Sequence, residues 1–215
     1  MERKLRRTLN DYLLPEILDG EGDIIPIIAD GEEGDLEEFE VPETIPILSL
    51  RNTVLFPGVV LPISIGRPRS IQLIKDAYRT NKTVGTVAQK DPDVENPAFE
   101  DLHRIGTVGQ IVKLLEMPDG STTAIIQGRK RMILSEMITS DPYFTARVKI
   151  LPELKPESMS KDFDAIVGSL KDLSLKIIKI NPNISPEASF AIRNIENNTY
   201  LINFICSNTD IKVQD

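Results

Sequence analysis

The sequence predicts an α+β fold in which a β-rich lobe precedes a small helical lobe. Short apolar runs separated by Gly, Pro and Asn turns fill residues 45–151, and several of them alternate with a period of two. From residue 163 onward the apolar residues recur at helical spacing instead. Pro152 and Pro156 mark the change between the two patterns. The chain has 215 residues, which is enough for both lobes to bury a core.

The β-rich lobe opens with a strand, an apolar turn, a second strand and a helix. Residues 45–50 predict the first strand, which should begin at a sheet edge because Pro46 has no N–H to donate. Residues 59–65 predict the second strand. Pro68 stands where a helix favours its first residue. The apolar residues that share one face of this helix are Ile71, Leu73, Ile74, Ala77 and Tyr78.

Further strands complete the lobe, and glycine or proline marks the corners between them. The apolar runs place these strands at residues 83–89, 106–117, 121–127, 131–137 and 143–151. Pro118-Asp119-Gly120 predicts a tight turn, because Pro presets φ, Asp bonds its own backbone and Gly accepts a positive φ. Gly128 predicts a bulge or a corner. Residues 91–104 lack periodicity and predict a long loop, which in a compact domain is either functional or mobile.

The helical lobe begins with an amphipathic helix of about four turns. Its apolar residues are Phe163, Ile166, Val167, Leu170, Leu173, Ile177 and Ile178. Asn181-Pro182 ends this helix, and Ser185-Pro186 starts another, with Ser as the cap and Pro at the first helical position. A third helix is capped by Asn197 or Asn198. It carries Tyr200, Leu201, Phe204 and Ile205.

The negative charge of the chain is concentrated in its first 44 residues. They hold 14 acidic and 4 basic side chains, whereas the remaining residues hold 19 acidic and 21 basic. Residues 19–40 are rich in Asp, Glu and Gly, so they bury too little apolar surface to offset the entropy of ordering. An isoleucine-rich island at 24–28 is the part suited to docking on a neighbour. We therefore expect three units, namely a largely disordered acidic leader at 1–44, the β-rich lobe at 45–152 and a helical lobe at 153–215 that is truncated at its carboxy-terminal end.

The sequence contains no motif of the common enzyme classes. There is no G-x-x-x-x-G-K-[ST] phosphate loop and no dinucleotide fingerprint. The single histidine, His103, is expected to be an exposed loop residue, since no motif places a nucleophile with it. The single cysteine, Cys206, is expected to be a small buried hydrophobic residue. One residue of each type makes neither a zinc site nor an intrachain disulfide, and a reducing, cytoplasmic compartment is favoured.

Neither a membrane nor a nucleic acid is indicated as a partner. No apolar run approaches the roughly 20 residues of a membrane span, and the amino terminus lacks the apolar core of a secretory signal. Arg129-Lys130-Arg131 is a basic cluster, but no aromatic residues are interleaved with it. Because the lobe around this cluster is nearly neutral, a solvated surface is favoured over an RNA site.

Apolar surface is the remaining candidate for function. Residues 55–58, Leu-Phe-Pro-Gly, stand where a solvated loop is expected, and the proline holds Phe56 extended. Arg67 and Arg69 lie at a helix amino terminus, where the dipole disfavours cations, so contact with an acidic partner would explain them. The predicted substrate-binding residues are Leu55, Phe56, Pro57, Arg67 and Arg69. The alternatives are that Phe56 belongs to the core and that the two arginines mark an ordinary exposed turn.

The stretch that begins at residue 46 also resembles a known family. P-I-L-x-L-R-N-T-V-L-F-P-G-x-V-x-P-x-x-x-G-R-x-x-S-I, at residues 46–71, is similar to the opening of the amino-terminal domain of the Lon family of ATP-dependent proteases. Further blocks follow in the family's order: Val87-Ala88-Gln89-Lys90, Gly106-Thr107-Val108-Gly109-Gln110-Ile111, Met117-Pro118-Asp119-Gly120, Ile126-Gln127-Gly128 with Arg131, and Tyr143-Phe144-Thr145-Ala146. The likeness extends to about residue 151.

The resemblance implies a fold, a role and partners. The fold would be PUA-like, a curled mixed β-sheet or pseudo-barrel with one helix, followed by a helical bundle. The role would be non-catalytic substrate recognition and assembly in a protease that degrades misfolded and regulatory proteins. The partners would be unfolded or damaged proteins and other protomers, with a hexamer expected for the full-length family. The family's ATPase and serine–lysine protease modules lie beyond the matched region, so no catalytic residue carries over, and ATP and Mg²⁺ are expected only there.

Three other interpretations stay open at the level of sequence. A stand-alone protein with this domain would be an adaptor or a small-ligand binder, and a gene that continues into a phosphate-loop motif would exclude it. A PUA-like RNA-binding protein would bind RNA in a salt-dependent manner. A hydrolase that uses His103, oriented by Asp101, would lose its activity in the His103→Ala variant.

Overall fold

The fold consists of a β-rich lobe followed by three helices, as a computed structural model describes it for residues 27–28, 39–116, 121–153, 161–181 and 186–209. The strands in these residues are β1 (Ile27–Ile28), β2 (Thr44–Leu50), β3 (Val59–Ile65), β4 (Thr83–Ala88), β5 (Ile105–Glu116), β6 (Thr122–Thr139) and β7 (Thr145–Ile150). The helices are α1 (Pro68–Arg79), α2 (Lys161–Ile180), α3 (Pro186–Asn194) and α4 (Asn198–Ser207), with a 3₁₀ turn at Phe99–Asp101. The predicted α+β class is confirmed, and none of the described helices has the length and apolar character needed to span a bilayer.

The sheet curls until its last strand, β7, pairs with β6. In the described residues the strand order is β1-β3-β6-β5-β4-β2-β7, and β7 returns to pair with β6. β2 runs parallel to β4, and the other pairings are antiparallel. β6 has 18 residues, so its first part pairs with β3 and its second part with β7. This closed circuit of β2, β4, β5, β6 and β7 is the curled mixed sheet that the family resemblance implies.

A single long strand, β6, stands where two short strands are predicted on either side of Gly128. Gly109 of β5 pairs with Gly128, whereas Val108 pairs with Lys130, so Arg129 is the extra residue of a β-bulge. A Cβ on Gly128 would lie 2.1 Å from the carbonyl oxygen of Phe56, so glycine is required there. The predicted bulge is confirmed. The predicted break is wrong, because a bulge bends a strand without ending its pairing.

The position of Pro46 shows how a proline enters a strand that has two neighbours. β2 lies between β4 and β7, but its pairing with β4 begins only at Ile47. Pro46 therefore faces a partner, Thr145, on the β7 side alone. The expected edge is thus a local property of the first residues of β2, and β2 as a whole is an inner strand.

Two apolar clusters fill the β-rich lobe, one on each side of β2. Leu48 and Leu50 belong to the cluster beneath α1, whereas Ile45 and Ile47 belong to the other cluster. Successive strand residues point to opposite faces, so the alternation predicted for β2 is confirmed. The residues that α1 buries are Leu73, Ile74 and Ala77.

Part of the acidic leader joins this sheet. Ile27 and Ile28 pair antiparallel with Val60 and Val59 at the outer edge of β3. The rest of the leader before residue 39, and the predicted turn at 118–120, lie outside the described residues.

Candidate functional site

The Leu-Phe-Pro-Gly segment forms a tight turn that leads into β3. The N–H of Val59 donates to the carbonyl oxygen of Phe56 at 3.1 Å, and Gly58 has a φ of +83°, as in a type II turn. The hydroxyl of Thr107 donates to the carbonyl oxygen of Leu55 at 2.6 Å. The Leu55 side chain is only 2 % exposed. Apolar residues suit this turn because its Leu55 side chain is buried in the core and its backbone is hydrogen-bonded to Thr107.

Helix α4 covers this turn, which therefore joins the two lobes. The hydroxyl of Tyr200 donates to the carbonyl oxygen of Gly58 at 3.0 Å, and the Asn203 side-chain amide donates to that of Pro57 at 3.0 Å. Asn203 is buried, and its Oδ1 accepts from Arg131 at 2.9 Å. Of the two predicted caps, Asn197 and Asn198, the structure has Asn197, whose side chain accepts from the backbone N–H of Tyr200.

The structure corrects the expected surface position of this segment. Leu55 is buried in the main cluster, while Phe56 and Pro57 are half-buried beside α4. The reason is twofold, since Leu55 and Phe56 pack against the main cluster of the β-rich lobe and α4 of the second lobe covers Pro57 and Gly58.

Arg67 and Arg69 differ although they are neighbours at the start of α1. The guanidinium of Arg67 is half-buried and donates to Ser49 Oγ at 2.9 Å and to Gln89 Oε1 at 2.6 Å. Burial lowers the pKa of Arg67 below its ordinary value, and a neighbouring arginine adds to this. Arg69 is exposed, with its guanidinium 4.0 Å from Asp141. Arg67 therefore ties the ends of β2 and β4 to α1, and Arg69 is the cation that a partner can reach.

The two halves of the predicted site do not come together. The turn at 55–57 precedes β3 and the arginine corner at 67–69 follows it. Seven strand residues extend over roughly 20 Å, so the turn and the corner lie at opposite ends of this strand.

A mainly apolar cleft of about 380 Å³ lies beside Leu55, between the end of β2 and the start of β5. The residues that line this apolar cleft are Leu50, Val54, Leu55, Thr86, Ala88, His103, Arg104, Ile105 and Gly106. Ile105 is 60 % exposed, and Arg104 next to it is also exposed. This volume lies at the lower end of the range for ligand pockets, and it is large enough for one large side chain.

His103 contributes a polar group to the apolar cleft, and its predicted exposure is wrong. The loop folds back onto β4, so that the His103 N–H donates to the carbonyl oxygen of Ala88 at 3.0 Å and the residue is half-buried. Within the described ranges, His103 Nε2 is a buried atom without a hydrogen-bond partner. Asp101 accepts instead from the backbone N–H of Ala98 at 2.8 Å. Thr86 is the one hydroxyl residue among those that line the cleft with His103, and its hydroxyl donates to the carbonyl oxygen of Thr107 at 2.9 Å instead, which leaves the hydrolase interpretation without support.

The sequence analysis missed Arg104 and Ile105 as functional candidates. Both are exposed in the structure and line the apolar cleft with Leu55. The sequence contained one indication of this, since an isoleucine directly after His-Arg is unusual at the end of a polar loop. Its significance depends on the long-range proximity of the loop to Leu55.

The remaining chemical candidates have structural roles or lie apart from the cleft. Cys206 is exposed rather than buried, because Phe204 faces the helical core and a residue two positions later points to the other side of a helix. The basic cluster is engaged within the fold, since Arg129 lies over the ring of Phe39 and Arg131 binds Asn203. Across the part of the chain that the structure describes, no three His, Cys, Asp or Glu side chains are grouped to hold a metal ion.

Comparison with known proteins identifies the family to which this chain is similar. Residues 44–215 match the family described as ATP-dependent protease La (LON) substrate-binding domain. The chain is 45 % identical over 208 residues to the Lon protease of Flavobacterium johnsoniae, covering 97 % of this chain and 25 % of that protein. It is 42 % identical over 193 residues to the Lon protease of Cytophaga hutchinsonii, covering 90 % and 24 %. The chain thus spans about a quarter of the length of the curated relatives it matches.

A solved structure supports the fold independently. The N-terminal domain of a Mycobacterium avium complex Lon protease superimposes with a TM-score of 0.60 and 18 % sequence identity, covering 74 % of this chain and 80 % of that one. At this identity the likeness concerns the fold alone, and it confirms the α+β fold class that the sequence pattern indicates.

Proposed function

The chain belongs to the family of Lon substrate-binding domains, and from this premise we propose that it is the non-catalytic recognition and assembly module of an ATP-dependent Lon-type serine protease. Its substrates are misfolded, damaged and regulatory proteins, which it holds for a cytoplasmic protease of several protomers, six by family analogy. ATP, Mg²⁺ and peptide hydrolysis belong to the rest of the parent protein.

The observation that carries this proposal is the apolar cleft beside Leu55. A protease that selects damaged proteins needs sequence-tolerant contact with apolar side chains that folded proteins keep inside. Burying one large side chain is worth about 1.5–3 kcal/mol, so a single cleft holds a chain weakly. Several copies in one assembly raise the effective concentration and convert weak contacts into retention.

Each predicted binding residue has a place in this proposal. Leu55 forms part of the wall that touches the incoming side chain, and Phe56 and Pro57 hold that wall against α4. Arg67 fixes the frame by joining β2, β4 and α1. Arg69 offers a second, accessible cation to acidic segments of the same substrate.

The test compares two exposed residues of β5, only one of which lines the cleft. Ile105 is 60 % exposed and Val112 is 49 % exposed, so serine at either position should change the free energy of unfolding by no more than about 0.5 kcal/mol. We expect Ile105→Ser to weaken binding of a carboxymethylated, permanently unfolded protein by ~3–10-fold, as measured by fluorescence anisotropy. Val112→Ser is the matched control and should bind as the unchanged chain does.

A third variant separates the cleft from the turn beside it. Phe56→Ser should lower the free energy of unfolding by about 1–3 kcal/mol, because Phe56 is half-buried against the core. Weakened binding in Phe56→Ser with full stability would move the binding surface to the turn. Equal binding by Ile105→Ser and Val112→Ser would refute the cleft as the recognition site.

A further inference from the structure

The outer edge of β3 carries a short strand that comes from the acidic leader. On one side, β3 pairs with β6 along residues 60–65. On the other side it pairs with β1, but only through its first two residues, Val59 and Val60. In the part of the chain that the structure describes, residues 61–65 of β3 therefore have no strand partner on this outer edge.

An edge of this kind recognises the backbone of its partner before its side chains. Unpaired N–H and C=O groups along a strand edge are a template for any extended segment, and main-chain hydrogen bonds supply the affinity. The side chains of Val59 and Val60 are buried, at 1 % and 6 % exposure. What β3 offers to a partner at these positions is therefore mainly its backbone, which tolerates many partner sequences.

The strand already paired with this edge indicates what the edge accepts. β1 is the end of an apolar island, Ile-Ile-Pro-Ile-Ile at residues 24–28, in a leader that is otherwise rich in Asp, Glu and Gly. β-branched residues favour the extended conformation. Folded proteins keep such residues inside, whereas unfolded proteins expose them. The sequence of β1 therefore has the chemistry of an exposed segment of an unfolded protein.

We propose that the outer edge of β3 binds extended, β-branched apolar segments of unfolded proteins by strand addition, and that β1 is a displaceable competitor from the same chain. The choice of unfolded protein as partner rests on the proposed function, to which a second site and its regulation are added. Leu55 in the apolar cleft and Val59 on this edge are four residues apart in the chain. Their Cα atoms are thus at most about 14 Å apart, and one extended substrate can reach both sites.

The competitor is weakly held, but it is always close to the edge. Two residue pairs make few hydrogen bonds. The leader is anchored again at Phe39, whose ring lies 5.4 Å from the Arg129 guanidinium and packs on the apolar cluster of Ile45 and Ile47. This short tether keeps β1 at an effective concentration in the millimolar range. If the strand's intrinsic dissociation constant is roughly 0.1–1 mM, it weakens substrate binding at the edge by about 2–10-fold.

Release of β1 in the full chain tests the competition. The probe is a fluorescein-labelled peptide with the sequence of residues 21–31, and its binding is measured by fluorescence anisotropy. Ile27→Pro/Ile28→Pro removes both N–H groups of β1, so this variant should bind the peptide ~2–10-fold more tightly than the unchanged chain. Ile17→Pro/Leu18→Pro makes the same change earlier in the leader and should bind the peptide as the unchanged chain does.

A modified peptide tests whether the contact is strand pairing. N-methylation of the peptide at its two positions that correspond to Ile27 and Ile28 removes the N–H groups and keeps the side chains. This peptide should bind Ile27→Pro/Ile28→Pro at least ~10-fold more weakly than the unmodified peptide. Equal affinity of the two peptides, or equal affinity of Ile27→Pro/Ile28→Pro and its control for the unmodified peptide, would overturn the proposal.

Competition identifies the partner and separates the edge from the cleft. A carboxymethylated, permanently unfolded protein should displace the unmodified peptide from Ile27→Pro/Ile28→Pro. Ile105→Ser alters the cleft and should leave peptide binding unchanged, and weaker peptide binding in this variant would overturn the proposal by moving the peptide to the cleft. If unfolded protein binds the chain but leaves the peptide in place, the edge site is wrong and the proposed function stands. If no unfolded protein binds at all, both are wrong.

Discussion

In the β-rich lobe the strands form a closed circuit, and apolar residues such as Ile74, Ile111 and Ile126 are fully buried in the cluster beneath α1. The helical lobe has a smaller core of Val167, Ile192, Ile195, Leu201 and Phe204, and it leaves four large apolar residues of α2 exposed, namely Ile166, Leu173, Ile177 and Ile180. The first lobe thus has the larger apolar core, although a few of its strand residues, such as Ile105 and Val112, stay exposed. The stability of the second lobe also depends on its contact with the turn at residues 56–58. We therefore expect the two lobes to respond differently when a buried side chain is removed.

The largest effect is expected from truncating the core of the helical lobe. Phe204 is 1 % exposed, so Phe204→Ala should cost ~3–5 kcal/mol. A lobe with so few buried side chains should then unfold while the β-rich lobe stays folded. Hydrogen exchange would show lost protection in α2, α3 and α4 and retained protection in β5 and β6.

An equal truncation in the other lobe completes the comparison. Ile111 is completely buried, so Ile111→Ala should cost about 2–5 kcal/mol and lower the protection of the whole chain. Equal loss of β5 protection in Phe204→Ala and Ile111→Ala would mean that the lobes unfold as one unit and that the contrast between them is wrong.

The next effect concerns the joint between the lobes. Gly58 has a positive φ, and a Cβ there would lie 2.1 Å from the Tyr200 ring, so Gly58→Ala should cost about 2–3 kcal/mol and loosen α4. Gly66 is the matched control, because a Cβ there meets nothing within 4 Å. Thermal unfolding of both variants would measure the difference. If Gly58→Ala melts as Gly66→Ala does, the turn is not the joint we describe.

The smallest effect lies within the β-rich lobe, between α1 and β5. Lys75 Nζ lies 2.6 Å from Glu116 Oε1, and this hydrogen bond, followed by the charge of Lys75, lowers the pKa of Glu116. A lowered pKa means that the pair stabilises the fold above the ordinary carboxyl pKa and loses this contribution as pH falls through the folded value. The Lys75 side chain is 37 % exposed and that of Glu116 is 66 % exposed, so solvent screens the pair and the contribution is small.

Melting temperatures at neutral and acid pH measure this contribution. Lys75→Met should melt slightly below the unchanged chain at pH 7, and the gap should close near pH 3. Lys113→Met is the control, because Lys113 is an exposed residue of β5, the strand that carries Glu116. This variant should show no such pH dependence. A gap that persists at pH 3 would assign the effect to packing of the lysine stem.

The parts of the fold that could be predicted are those set by the local backbone preferences of glycine and proline. Glycine and proline act on their immediate neighbours, so the bounds of β3, the start of α1 at Pro68 and the bulge beside Gly128 follow from sequence. The covering of Phe56 and Pro57 does not, since Tyr200 reaches Gly58 from 142 residues away. For the same reason, only one of the two main residues of the apolar cleft could be predicted from the sequence. Leu55 is conspicuous within its own turn, whereas Ile105 gains its meaning from a loop that folds back in space.

The pairing of β2 has a consequence for folding during synthesis on the ribosome. Thr44 pairs with Arg147, and Ile45 with Ala146, so the first strand of the circuit closes only against the last. A ribosome that adds 5–20 residues per second needs on the order of ten seconds to make the intervening stretch of roughly a hundred residues. During that time the nascent β2 is an apolar strand without its β7 partner. Until β7 has been synthesised, the apolar residues that β2 presents to the lobe interior therefore remain open to whatever apolar surface lies near the exit tunnel.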